Sequence, residues 1–201
     1  MVKIWASAEL EDKLASSGVN IVAGADEVGR GAWAGPMLVC CAVVGKNFNI
    51  GVCDSKMLKP AQRQDLYEQI KADILCYAVA KVSSEEIDEL GLSLSLVLAY
   101  ERALEKLPIA VSQVIIDGPI NYLSDYNIGF AVKKADCLHR CVAAASIIAK
   151  VERDKIMSKY ALMYPEYGFD TNVGYGTNKH RSTIKKLGIT KIHRQSFNIY
   201  G

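Results

Sequence analysis

Two carboxylates stand side by side at Asp26 and Glu27, straight after the apolar run Ile21-Val22-Ala23. Adjacent negative charges repel and resist burial, so a protein cation, a metal ion or solvent must compensate them. Two further acids occupy comparable places. Asp117 closes the run Gln113 to Ile116 and opens Asp117-Gly118-Pro119, and Asp136 follows the run Ile128 to Val132. If the segments carrying Asp26 and Asp117 are parallel neighbours in one sheet, their C-terminal ends meet at the edge where open α/β sheets hold ligands. Four converging carboxylates would be self-repelling without divalent cations. Mg²⁺ and Mn²⁺ favour oxygen ligands, and two ions about 4 Å apart can clamp the attacking and leaving oxygens of a phosphodiester. Each acid also has a plainer use, Asp117 as a turn residue and Asp136 as a helix cap. Taken together on three strand ends, they point to a metal site.

The surroundings of the acids suit a phosphate-bearing polymer. Gly29-Arg30-Gly31 follows Asp26-Glu27 and lets backbone N–H groups approach a ligand with no Cβ in the way. The G-x-x-G spacing of a dinucleotide-binding loop is missing. Ser146, Lys150 and Arg153 fall at i, i+4 and i+7 and form one polar helix face, which could meet a phosphate or pair with Glu152 and Asp154. Tyr175 stands between two glycines in GYGTNKH, where it could stack on a sugar or base or simply anchor the loop. From Thr171 to Gly201 there is no Asp or Glu, yet Lys179, Arg181, Lys185, Lys186, Lys191 and Arg194 are present. Such a tail suits a polyanion or a solvated helix face.

These residues need elements to hold them. Apolar patterning predicts a short helix over 9–17, strands over 20–26 and 37–44, and a helix from Pro60 to about Cys76. A strand over 77–82 follows. Ser83-Ser84-Glu85-Glu86 is a capping box that starts a helix to Leu90, and a longer helix covers 92–107. Strands over 113–116 and 128–132, a long helix from His139 to about Met163, and a basic helix over 177–187 stopped by Gly188 complete the chain. Met37 to Val44 is continuously apolar, as expected of an interior strand. The pattern is α/β, with a mixed sheet of about five strands.

Composition narrows the classes. The chain has 201 residues, half of them hydrophobic, and a formal net charge of +2. No stretch reaches the roughly eighteen apolar residues of a membrane span, and the N-terminus lacks a secretory signal. The six cysteines form no Cys-x-x-Cys pair and read as reduced, mostly buried thiols of a cytoplasmic protein. Cys40 and Cys41 should point to opposite faces of their strand.

Seven blocks in order, GADEVGRGAWAGP, DSKMLKPAQR, IIDGP, KKAD, AAASIIAKVERD, GYGTNKH and HRQSF, resemble the ribonuclease HII family, the type 2 ribonucleases H. The resemblance implies a single ribonuclease H-like catalytic domain over 1–201, a mixed five-stranded sheet flanked by helices. It also implies a small basic C-terminal helical region from about 165 to 201 that binds substrate. It implies endonucleolytic hydrolysis of RNA in RNA–DNA hybrids and nicking 5′ of single ribonucleotides in duplex DNA, leaving 5′-phosphate and 3′-hydroxyl ends. By position, Asp26, Glu27 and Asp117 are metal ligands for Mn²⁺ or Mg²⁺, with Asp136 the fourth catalytic carboxylate. Gly29, Arg30 and Gly31 would read the ribose 2′-hydroxyl, Tyr175 would pack on the adjacent deoxyribose, and Lys56, Lys150 and Arg153 would contact phosphates. A monomer is expected, acting on nucleic acid and not on membranes, without the extra N-terminal domain of ribonuclease HIII. Val28, Trp33 and Asn172-Val173 depart from the usual pattern. A non-catalytic hybrid binder would tolerate loss of an acid, and none is lost. A small-molecule phosphatase would need neither Tyr175 nor the basic tail.

Overall fold

The computed structural model describes residues 6, 7, 9–19, 21–48, 51 and 58–199. Five strands form one sheet, β1 (Val22–Val28), β2 (Met37–Val43), β3 (Cys76–Val82), β4 (Gln113–Asp117) and β5 (Gly129–Val132), in the order β3-β2-β1-β4-β5. The first three pair antiparallel, and β4 and β5 join β1 in parallel. The helices are α1 (Glu9–Ser16), α2 (Pro60–Asp73), α3 (Ser84–Glu105), α4 (Ala135–Leu138), α5 (Arg140–Met163), α6 (Phe169–Asn172) and α7 (Asn178–Leu187).

The sheet is covered on both faces. Ala23, Ala25, Val39 and Cys41 face α3, in a cluster with Leu96, Ala99 and Tyr100. Cys40 and Ala42 face the opposite layer, with the alanines and isoleucines of α5 and with Tyr67 and Ile70 of α2. Cys40 and Cys41 therefore do point apart, as the two-residue period of a strand requires. Every residue of β2 is buried, which is why its sequence is apolar without alternation.

Two local choices bring α5 and α3 into place. A Cβ at Gly24 would sit 2.2 Å from the Val142 backbone nitrogen, so only glycine lets the start of α5 lie directly on β1. Ser83 caps α3, accepting from the Glu86 N–H while the Glu86 carboxylate accepts from the Ser83 N–H. The expected break at Gly91 is a kink within one element, where Gly91 has φ 74°.

A third apolar cluster lies at the far end of α5, where Met157 meets Ala34, Phe169, Ile184, Ile192 and Ile199. It carries α6, α7 and the segment that follows them. Among the described residues no helix is long and apolar enough to cross a membrane. Cys40, Cys41, Cys76, Cys137 and Cys141 are free thiols, and Cys53 lies outside the described residues.

Candidate nuclease site

β1 and β4 are parallel neighbours, with Gly24 paired to Ile115 and Ala25 to Ile116, and β1 does not stop at its acids as the patterning predicts but stays paired to β2 as far as Val28, so Asp26 and Glu27 lie just beyond the last residues paired to β4. Asp26, Glu27 and Asp117 therefore lie at one edge of the sheet. The pleat settles the repulsion between Asp26 and Glu27 by sending them to opposite faces. Asp26 turns toward α5, where Ser146 hydrogen-bonds its carboxyl, and its Oδ1 also accepts from the Glu27 N–H at 2.7 Å. Glu27 turns toward α3, and its Oε2 accepts from the buried Tyr100 hydroxyl at 2.8 Å. Asp117 crosses to the next layer, its Oδ1 accepting from the Ala135 N–H at 2.7 Å.

Asp136 does not close a strand. It lies four residues beyond β5, buried in the first turn of α4. Lys134, left-handed with φ 61°, turns the chain between them. The contact between Asp117 and Ala135 fixes α4 against the end of β4, so Asp136 reaches the same edge by a route that strand patterning does not contain.

Electrostatics marks this edge as unfinished. Burial, then the negative charges of Glu27, Asp117 and Asp136, raise the Asp26 carboxyl to about 8 against the lowering effect of Ser146. Among the described residues, the cation paired with Glu27 is Arg30, 3.6 Å away with its side chain 45 % exposed. Among the described residues no three acidic, cysteine or histidine side chains are drawn into a common ligand shell. The geometry explains this, since Glu27 is held by Tyr100, Asp117 gives one oxygen to a backbone N–H, and Asp26 does the same. An all-carboxylate set suits a hard divalent cation. The residues fit a metal.

The loop after β1 is braced from behind by two buried arginines. Arg194 donates to the carbonyls of Gly29 at 2.7 Å, Arg30 at 2.8 Å and Gly35 at 3.0 Å. Arg153 donates to the carbonyls of Pro36 at 2.9 Å, Val173 at 2.8 Å and Ala34 at 3.2 Å. Both are fully buried. Arg153 is therefore not a phosphate contact but a scaffold residue, and Arg194 is removed from the basic tail for the same reason. The expected polar face of Ser146, Lys150 and Arg153 is likewise not a free face, because Ser146 and Arg153 are buried and Lys150 pairs with Asp154 at 2.7 Å.

The loop of Tyr175 is tied to the same brace. The N–H groups of Trp33 and Ala34 donate to Gly174 O, and the Arg153 guanidinium lies 5.6 Å from the Tyr175 ring centre. Tyr175 itself is exposed. Beneath it, His180 and His193 meet through their Nε2 atoms at 3.0 Å. Thr190 N–H donates to His193 Nδ1, so His193 carries its proton on Nε2 and donates it to His180, whose Nδ1–H donates to Tyr175 O. The chain works only with both rings neutral. Burial and the neighbouring His180 lower His193 to about 4, and burial lowers His180. Lys179, Lys185, Lys186 and Lys191 remain exposed, and Arg181 lies 5.1 Å from the Trp33 ring centre. Lys56 lies outside the described residues.

Tyr100 carries no sequence signal that separates it from the core, since one more aromatic on an apolar helix face looks like packing. Once it is buried, its hydroxyl needs a polar partner.

A mixed sheet with acids at the ends of β1 and β4, helices on both faces and a further acid on a following helix is the arrangement of the ribonuclease H-like nucleases. The family model for ribonuclease HII matches residues 23–200. A ribonuclease HII of Streptomyces avermitilis is 42% identical over 184 residues, covering 91% of this chain and 79% of that one. The crystal structure of ribonuclease H2 from Pyrococcus horikoshii superposes with a TM-score of 0.78 at 30% identity, covering 90% of this chain and 95% of that one. The fold also matches Bst-RNase HIII, solved in complex with Mn²⁺, with a TM-score of 0.68 at 21% identity, over 90% of this chain and 68% of that one. The chain belongs to the ribonuclease HII family. It is thus a metal-dependent endoribonuclease, of a family that cleaves RNA in RNA–DNA hybrids.

Proposed function

We propose that this enzyme nicks duplex DNA on the 5′ side of single embedded ribonucleotides as well as cutting longer hybrids, leaving 5′-phosphate and 3′-hydroxyl ends. The observation that carries this reading is the setting of the Gly29-Arg30-Gly31 loop directly after the paired acids, on a brace shared with Tyr175. The 2′-hydroxyl is what separates RNA from DNA, and a glycine loop beside the reacting phosphate can test for it with backbone groups.

Asp26, Glu27, Asp117 and Asp136 are the ligands in this reading, for Mg²⁺ or Mn²⁺. When bound, two such ions supply a more acidic attacking water and stabilise charge on the leaving 3′-oxygen. Ser146 and Tyr100 orient Asp26 and Glu27 from opposite faces of β1. Tyr175 packs on the deoxyribose beside the ribonucleotide. Lys150, and Lys56 by resemblance alone, contact phosphates. The segment 165–201 belongs to the single catalytic domain and presents exposed lysines of α7 to the duplex backbone. The enzyme acts as a monomer in the cytoplasm.

The test is cleavage of a labelled DNA duplex carrying one ribonucleotide, beside an all-DNA twin, with Mg²⁺, with Mn²⁺ and with chelator. A metal-dependent nick 5′ of the ribonucleotide, and none in the twin, is expected. Cleavage of long hybrids without any nick at an isolated ribonucleotide would refute the junction reading. Tyr175→Ala should lower the rate at isolated ribonucleotides by roughly tenfold, the loss of about 50–60 Å² of apolar contact between ring and sugar, with little change in melting temperature.

A further inference from the structure

Arg194 is an arginine that touches neither acid nor solvent, in a segment whose composition suggests polyanion binding. Its guanidinium is fully buried and each of its three nitrogens donates to a carbonyl of the segment Gly29 to Gly35. Two of those carbonyls, of Gly29 and Arg30, belong to successive peptide groups. No peptide bond among the described residues is cis. In a trans peptide the C=O and the following N–H point in opposite directions. Pulling the Gly29 and Arg30 carbonyls inward therefore turns the N–H groups of Arg30 and Gly31 outward. Both residues are exposed, and the space beside the Gly31 α-carbon is open. Neither N–H finds an acceptor among the described residues.

The loop cannot relax out of this arrangement easily. A Cβ on Gly29 would lie 2.2 Å from Arg153 Nε, so the second buried arginine packs flat on the α-carbon of the first glycine. Gly29 has φ 86°. Arg194 is itself held from the other side. The Asp88 carboxylate of α3 accepts from the N–H groups of Gln195 at 2.8 Å and Ser196 at 2.9 Å and from the Ser196 hydroxyl at 2.6 Å. The N–H of Arg194 donates to Trp33 O at 2.8 Å. The order of support runs from α3 through Asp88 to the HRQSF segment, and from Arg194 to the glycine loop.

We propose that Arg194 is a positioning residue for substrate discrimination: it orients the Arg30 and Gly31 N–H groups toward the ribose hydroxyl, with Asp88 as its outer anchor. This rests on the reading of the glycine loop as the reader of the 2′-hydroxyl. Lysine keeps the charge at this position but lacks the planar fork that reaches several carbonyls at once.

The experiment compares dissociation constants for a DNA duplex with one ribonucleotide and for its all-DNA twin, with chelator present so that neither is cut. Wild type, Arg194→Lys and Asp88→Ala are measured, each with its melting temperature. Wild type should prefer the ribonucleotide duplex. Arg194→Lys should lose that preference by about fivefold or more, the equivalent of one hydrogen bond, while its affinity for all-DNA stays within about twofold. Asp88→Ala removes a partly exposed carboxylate, so it reads the same effect in a smaller degree should Arg194→Lys fail to fold. Full preference in folded Arg194→Lys, or in Asp88→Ala if the former does not fold, overturns the proposal. So does an equal loss on both duplexes that tracks melting temperature. A wild type without preference refutes the reading of the loop itself, and the proposal with it.

Discussion

Two polar clusters lie close together in this molecule and are treated in opposite ways. At the sheet edge, four carboxylates share a region where, among the described residues, Arg30 is the one cation paired with Glu27, and the Asp26 carboxyl is raised to about 8. Behind the glycine loop, two guanidinium groups and two imidazoles are buried with a partner for every ring or guanidinium nitrogen. The second cluster is complete within the chain and behaves as scaffold. The first leaves its acids crowded and one of them strongly raised, the kind of perturbation that clusters at functional sites.

The sharpest way to break this contrast is Asp117→Asn. It removes one charge while its side-chain oxygen can still accept from the Ala135 N–H. Loss of a metal ligand forfeits several kcal/mol of transition-state stabilisation, roughly a thousand-fold or more in rate. Cleavage assays should show that loss with duplex binding largely kept. Near-normal cleavage would remove Asp117 from the site.

The two clusters also differ in how far the sequence disclosed them. The acids of β1 and β4 are legible because each follows directly on an apolar strand run, although β1 carries on past Asp26 and Glu27 to Val28 with Asp26 still buried, because β2 keeps pairing with it there. The opposite facing of Asp26 and Glu27 follows from the two-residue period. Asp136 was legible as an acid but not in its place, because the left-handed turn at Lys134 and the hold of Asp117 on Ala135 are tertiary facts. The scaffold cluster is not legible. An arginine at i+7 from a serine on a helix reads as surface, and a basic tail reads as polyanion contact. Here α5 is covered on its second side by the glycine loop itself, so Arg153 is enclosed by backbone carbonyls from residues 34, 36 and 173. Nothing local to either arginine encodes that.

Opposite pH dependence separates the clusters next. A carboxyl raised from 3.8 to about 8 favours the protonated form in the fold, so without metal the penalty grows as pH rises through that window and is complete above it. Asp26→Asn should therefore melt higher than wild type in chelator at pH 8.5, by roughly 5–10 °C for a few kcal/mol. The gap should close at pH 4, below which wild-type Asp26 is neutral in both states, and shrink when Mn²⁺ or Mg²⁺ is added. A variant that melts lower at pH 8.5 would mean that the acids are compensated within the chain.

The histidine chain runs the other way. His193 lowered from 6.5 to about 4 favours the neutral ring in the fold, so its contribution is present above 6.5 and is lost as pH falls toward 4. That loss is on the order of 3 kcal/mol. Chelator should not affect it. Melting curves of His193→Gln should accordingly lose most of the acid sensitivity seen in wild type between pH 6.5 and pH 4.5. An unchanged acid limb would place the titrating group elsewhere.

The smallest effect tests the seam between the two clusters and the core. Tyr100 is fully buried on α3, stacked on Tyr122 with ring centres 5.1 Å apart, and its hydroxyl holds Glu27 Oε2. Tyr100→Phe keeps the ring and the stack and removes only the donor. Removing one hydrogen bond to a carboxylate costs about 1.5–3 kcal/mol when the acceptor stays buried. Glu27 is partly exposed at the sheet edge and can turn to Arg30 or to water, so only part of that cost should appear in stability. The rest should appear where the orientation of Glu27 matters. We expect kcat to fall by roughly tenfold with KM for duplex within about twofold, and the metal concentration for half-maximal rate to rise. If the rate is unchanged and only the melting temperature drops, Tyr100 belongs to the core under β1 and Glu27 takes its orientation from the metal alone.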